Sequence, residues 1–236
     1  MLIAGGDSWS CWPQEELYGS RDKCWPAIVS KKLGHTLIDH SRAGCSNDRI
    51  FRYCLPAVLE WSPAIVVVFW SCSDRFEIGL HGKIQQVMPA QSNNTICKQY
   101  IAENLDLYLQ YCNTLLKILS LQETCKQRSS TLLQKFCFKA DCWWDGTIER
   151  FKLFLRDAGT FDYLSDDIIE EKFQYLLTLH NQIDAANWIG PIQEPLQNLI
   201  EVSEEFSNHP TDNGHIQMAN LILDKLNENI ANKNIK

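Results

Sequence analysis

Ala64-Ile-Val-Val-Val-Phe-Trp70 is the longest uninterrupted apolar run in the chain. It is far short of the roughly 18–20 residues that a membrane-crossing helix needs, and it suits a strand. A strand that wets one face alternates apolar with polar side chains. This one does not alternate, so both of its faces must be covered, as they are when helices flank a parallel sheet.

Working outward, the upstream residues supply matching pieces. Leu2–Gly5 and Thr36–Asp39 read as short strands. Between them Trp25, Ile28, Val29 and Leu33 share a helical face, with Pro26 in the first turn and Gly34 as a stop. Ser46 is placed to cap a second helix whose apolar face is Ile50, Tyr53, Cys54, Ala57, Val58 and Trp61, bent at Pro56. Strand–helix–strand order predicts right-handed crossovers and an α/β sheet.

Downstream, Ile101, Leu105, Tyr108, Cys112, Leu115 and Leu119 predict a long helix over 98–121. Alternation in Lys135-Phe-Cys-Phe-Lys139 predicts a fourth strand. Helical spacing returns over 147–157 and 166–179, whereas 181–210, with three prolines, gives no clear element. Ala219, Ile222, Leu223, Leu226 and Ile230 mark a closing helix after Gly214, and the tail from Asn232 is expected to fray. Neither a repeat nor a low-complexity linker breaks the chain. The expectation is one domain over 1–236 with a largely helical insert at about 78–205.

Composition narrows the function classes. A net charge of −7 argues against a nucleic-acid binder, which presents a basic face. The N-terminus lacks a basic segment followed by an apolar stretch, so no signal peptide is expected. The ten cysteines are scattered, form no CxxC, and lack histidines at zinc-site spacing. Buried, reduced thiols are therefore expected, together with a cytoplasmic location and no metal.

Three polar turns follow the three strands: Gly5-Gly-Asp-Ser8, Arg42–Asn47 and Ser71–Arg75. In a parallel sheet they emerge at one edge, where α/β folds keep their ligand crevices. Ser8 as a nucleophile needs a base, and the base needs an orienting acid. Asp212-Asn-Gly-His215 offers both on one side of a turn, with Asp212 holding one ring nitrogen and the other facing Ser8. His209 reads only as a residue shaping the loop that positions Asp212.

Gly6-Asp-Ser8 and Asp212-x-x-His215 resemble the first and last blocks of the SGNH, or GDSL, hydrolases. The resemblance implies a flavodoxin-like, three-layer α/β/α sandwich with Ser8, Asp212 and His215 as the triad. Gly44, in Ala43-Gly-Cys-Ser-Asn-Asp-Arg49, matches the second block, whose glycine N–H serves the oxyanion. The third block departs: Ser71-Cys-Ser-Asp74 puts Ser73 where the family carries an asparagine. Asn47, Ser73 and Arg75 are all candidates to replace that donor. The implied activity is hydrolysis of a carboxylic ester, with small O-acyl groups on a carbohydrate as the suggested substrate and no cofactor. The alternatives are a glycan- or protein-binding module on the same fold, and a nucleotide binder at Gly5-Gly6. The latter lacks both GxxxxGK[ST] and GxGxxG.

Other residues have plainer readings. Asp39-His40 is structural, His35, His81 and His180 are surface or loop residues, and Asp166-Asp167 with Glu170-Glu171 is a solvated helix start. Trp9, Trp12 and Trp70 lie near the expected crevice, although packing is the usual role of tryptophan. Trp143-Trp144 belongs to a lid or to a wedge.

Overall fold

The computed structural model describes residues 1–11, 21–80, 83–87, 95, 98, 101, 105–139, 143–159, 161–204 and 208–233. Trp12, His81, Cys97, Cys142 and the last three residues of the tail lie outside them.

Four parallel strands form the central sheet. They are β1 (Leu2–Gly5), β2 (Leu37–Asp39), β3 (Ile65–Trp70) and, after the antiparallel pair β4 (Phe76–Leu80) and β5 (Lys83–Val87), β6 (Thr131–Phe136). Their order is β2-β1-β3-β6, with Leu2 beside both Leu37 and Ile65, and Ile65 beside Thr131. Every residue of β3 is buried, as its unbroken apolar character requires.

The two-residue period of the strands divides the core. Leu2, Ala4, Ile65, Val67 and Phe69 face one layer of helices: α1 (Trp25–Leu33), through Trp25 and Val29, and the closing helix, through Met218, Ala219 and Ile222. Ile3, Val66, Val68 and Trp70 face the other layer, α2 (Asn47–Trp61) and α3 (Leu107–Gln127), through Ile50, Cys54, Leu115 and Ile118. The fold is thus a three-layer α/β/α sandwich. α4 (Ile148–Asp157) and α5 (Asp166–Asn181) extend the second layer, and α6 (Asp212–Lys233) is the closing helix.

Several boundaries move from their expected places, each for a local reason. The long helix begins at Leu107, not 98, because Asp106 caps it by accepting a hydrogen bond from the Leu109 amide. Ile101 and Leu105 instead pack on Phe76 and Val87 of the hairpin. The fourth strand is 131–136, not 135–139. Lys135 breaks the inside-outside rule there, because its chain is buried and its Nζ donates to the Pro191 carbonyl at 2.7 Å. Within the stretch 78–205, β6 joins the central sheet and the helix α3 packs on the core. On α2, Tyr53 and Trp61 are exposed rather than on the core face.

Trp143 and Trp144 act as the wedge. Both are buried, Trp143 stacked on Phe154 at 4.2 Å and Trp144 on His180 at 4.6 Å. His180 is correspondingly a half-buried residue of helix α5 rather than a surface or loop one: its Nε2 hydrogen-bonds with the Tyr111 hydroxyl, and burial pushes its pKa down to about 3. Trp70 is also core, its indole N–H donating to Gln134 Oε1. The described cysteines are free thiols, buried except for half-buried Cys72. No helix among the described residues is long and apolar enough to cross a membrane.

Candidate active site

The turns after β1, β2 and β3 converge at one sheet edge. The Arg42 amide donates to the Gly6 carbonyl at 3.1 Å, which ties the second turn to the first. Asn47 ties the second to the third: its Oδ1 accepts from the Ser71 amide at 2.8 Å and its Nδ2 donates to the Ser71 carbonyl at 3.0 Å. Nδ2 also donates to Thr114 Oγ1 on α3. With its amide group engaged on both sides, Asn47 is a buried brace rather than the replacement oxyanion donor.

Asp7 organises the nucleophile turn. Its carboxylate is fully buried and accepts from the Trp9 amide at 2.9 Å, the Ser71 hydroxyl at 2.8 Å and Arg75 Nη1 at 3.1 Å. The Trp9 contact is the Asx-turn geometry that makes aspartate a turn residue, and the Ser10 amide closes the turn on the Asp7 carbonyl. Burial raises the pKa of Asp7, while the Arg75 guanidinium, these donors and the nearby His209 pull it back. Arg75 is therefore committed to the back of the turn through Nη1, which also donates to the Ser71 hydroxyl.

Ser8, one residue on, is 8% exposed and its Oγ lies 2.8 Å from Nε2 of an imidazole. That imidazole belongs to His209, not His215. His209 sits on β8 (His209–Pro210), which pairs antiparallel with β7 (Val202–Ser203), so a short hairpin delivers the ring to the crevice. Pro210 restricts His209 to extended backbone. That restriction was the available signal in the sequence: a histidine fixed in a strand immediately before a proline, six residues ahead of the expected base.

The expected partners go elsewhere. Asp212 opens α6 and turns outward, its carboxylate 2.8 Å from Lys23 Nζ with half of the side chain exposed. His215 lies one turn further along the helix, 1% exposed, and burial pushes its pKa down to about 4. The three-residue spacing puts Asp212 and His215 on one helix but does not aim both at Ser8, because the start of the helix is fixed independently. Glu201 fixes it by accepting from Thr211 Oγ1 and Asn213 Nδ2 at 2.8 and 2.7 Å. Thr211 Oγ1 in turn accepts from the Gly214 amide. Gly214 packs directly under the Glu201 carbonyl, where no Cβ fits.

Gly44 stands in the turn after β2 with φ 73°, the left-handed region that glycine enters without strain. Its carbonyl accepts from the Gln86 side-chain amide. Among the described residues, the Ser8 and Gly44 amides donate to no backbone carbonyl. Ser73 is half-buried in the turn after β3. Trp9 is buried against Phe138, ring centroids 5.2 Å apart, and so packs rather than facing a ligand. Among the described residues, no group of three or more His, Cys, Asp or Glu side chains is placed to hold a metal ion.

No protein-family model matches the chain, and no curated protein does. Solved structures give likenesses at low identity. TesA matches at 15% identity over 95% of this chain and 97% of that one, with a TM-score of 0.49. The psychrotrophic esterase EstA from Pseudoalteromonas sp. matches at 9% identity over 98% of each chain, TM-score 0.47. A member of the lipolytic protein G-D-S-L family from Veillonella parvula DSM 2008 matches at 14% identity over 94% of this chain and 96% of that one, TM-score 0.40.

Proposed function

We propose that the chain is a serine esterase of SGNH type, with Ser8 as nucleophile and His209 as general base. The observation that carries this reading is the 2.8 Å contact between Ser8 Oγ and His209 Nε2 at the C-terminal edge of a parallel sheet. A serine hydroxyl is a weak nucleophile at neutral pH and becomes a useful one when a base at hydrogen-bond distance takes its proton as it attacks.

In this mechanism Oγ bonds to the ester carbonyl carbon while the proton passes to Nε2. The carbonyl oxygen, now negative, accepts from the Ser8 and Gly44 amides, with Ser73 closest in chain position to a third donor. His209 then protonates the departing alkoxide, leaving an acyl-serine. Water, deprotonated by the same imidazole, attacks the acyl carbon and releases the acid. Asp7 and Arg75 act one step back, holding the turn that aims Ser8. Asp212, held by Lys23, has no part in the step. Small O-acyl groups on a carbohydrate are the substrates this reading favours.

A fluorophosphonate probe tests it. Labelling of the parent protein that disappears in Ser8→Ala, with matching loss of p-nitrophenyl acetate cleavage, is the expected result. Pure folded protein that neither labels nor cleaves the ester is a binding module instead, a reading that the missing third-block asparagine favours.

A further inference from the structure

Beside the Gly44 turn lies a cavity of about 420 Å³ lined by Arg42, Arg49, Arg52, Tyr53, Glu77 and Gln86, among others. Its acids are already occupied. Glu77 receives Arg52 through two parallel contacts, Nε to Oε2 at 3.2 Å and Nη2 to Oε1 at 2.9 Å. Asp48, the next carboxylate along α2, holds Lys117 Nζ at 2.8 Å and the Glu77 amide at 2.9 Å. Arg42 and Arg49 are left without an ion pair among the described residues, in a chain whose net charge is −7. Arg49 lies over the Tyr53 ring, its Cζ 4.4 Å from the centroid, and its Nε is shielded from solvent with no hydrogen-bond acceptor among the described residues. Two guanidinium groups that line one cavity without a carboxylate partner are arranged for a ligand that brings its own oxygens.

The cavity is also tied to the proposed reaction centre. Gln86 on its wall donates to the Gly44 carbonyl, and the Arg42 amide bonds the Gly6 carbonyl, two residues before Ser8. We infer that this cavity binds an oxyanion group carried by the ester substrate, a carboxylate or a phosphate or sulfate, through Arg42 and Arg49. The inference rests on the esterase reading for the word substrate, but its test does not.

Calorimetric titration of Ser8→Ala protein with glucuronate, inorganic phosphate and inorganic sulfate separates the sources. Saturable binding of at least one is expected, glucuronate alone pointing to a uronic acid and the inorganic ions to a phosphorylated or sulfated alcohol. Adding Arg49→Gln should weaken that binding tenfold or more. Arg42→Gln should weaken it as well, and its exposed side chain makes that second variant safe for folding. No saturation with any of the three, or binding unchanged in both variants, overturns the inference. Anion binding together with absent fluorophosphonate labelling of the parent protein would instead remove the esterase and leave the anion site standing.

Discussion

Replacing His209 by alanine, with His215→Ala as its partner experiment, decides which imidazole serves Ser8. The two rings are six residues apart in sequence but differ in what they can do. His209 Nε2 is at proton-transfer distance from Ser8 Oγ, 2.8 Å. His215 is buried to 1% exposure, and a pKa near 4 makes it a poor proton acceptor. A positioned general base contributes roughly 10²–10⁴ in rate, equivalent to about 3–5 kcal/mol in the barrier. His209→Ala should therefore lower kcat/KM for p-nitrophenyl acetate by at least about a hundredfold while leaving the urea midpoint nearly unchanged, since the ring lies at the crevice. His215→Ala should do the reverse: a stability loss of about 1–3 kcal/mol from the emptied interior, with activity of the folded fraction within about tenfold of the parent. Stopped-flow or plate-reader hydrolysis and urea unfolding measure both. If His215→Ala removes the activity and His209→Ala retains it, the pairing argued from the hairpin is wrong.

Asp7→Ala should cost about 3 kcal/mol by urea unfolding, because it strands Arg75 and unties Trp9 and Ser71 together. In the double variant with Arg75→Ala the loss should fall short of the sum of the single losses. Asn47→Ala removes three hydrogen bonds that join the second and third turns and α3, and should lower stability by about 2–3 kcal/mol. For His215, the folded-state pKa of about 4 lies below the ordinary 6.5, so the unfolded chain takes up the proton first. The stability that the neutral ring contributes is complete above pH 6.5 and is lost as pH falls toward 4. Urea midpoints at pH 7.5 and 4.5 should show His215→Gln losing about 2–3 kcal/mol less on acidification than the parent; equal losses would reject the assignment.

Much of the site is readable from local sequence because its parts are short turns after short strands. Gly6-Asp-Ser8 is such a turn: aspartate closes it on its own backbone, and the apolar runs on either side say which sheet edge it occupies. Lys135 is not readable from its neighbours in sequence. An alternating run with lysines looks half-exposed, and the partner that helps to make a buried lysine tolerable there, the carbonyl of Pro191, lies 56 residues away. The position of His209 belongs to the same class.

The unbroken apolar strand at 64–70 is enough to read a parallel α/β sheet from the chain alone, with the nucleophile turn at its edge. The sequence also places a histidine-bearing segment before the last helix. Which histidine meets Ser8 is set by the packing of the folded chain. Helical spacing relates Asp212 to His215 but says nothing about the direction in which the helix presents them. That direction is set by distant contacts: Lys23 drawing Asp212 outward, Glu201 clamping the helix start, and Ser203 pairing with His209 to form the hairpin. Periodicity reports which residues share a face. Which way that face points depends on packing against parts of the chain that periodicity does not reach.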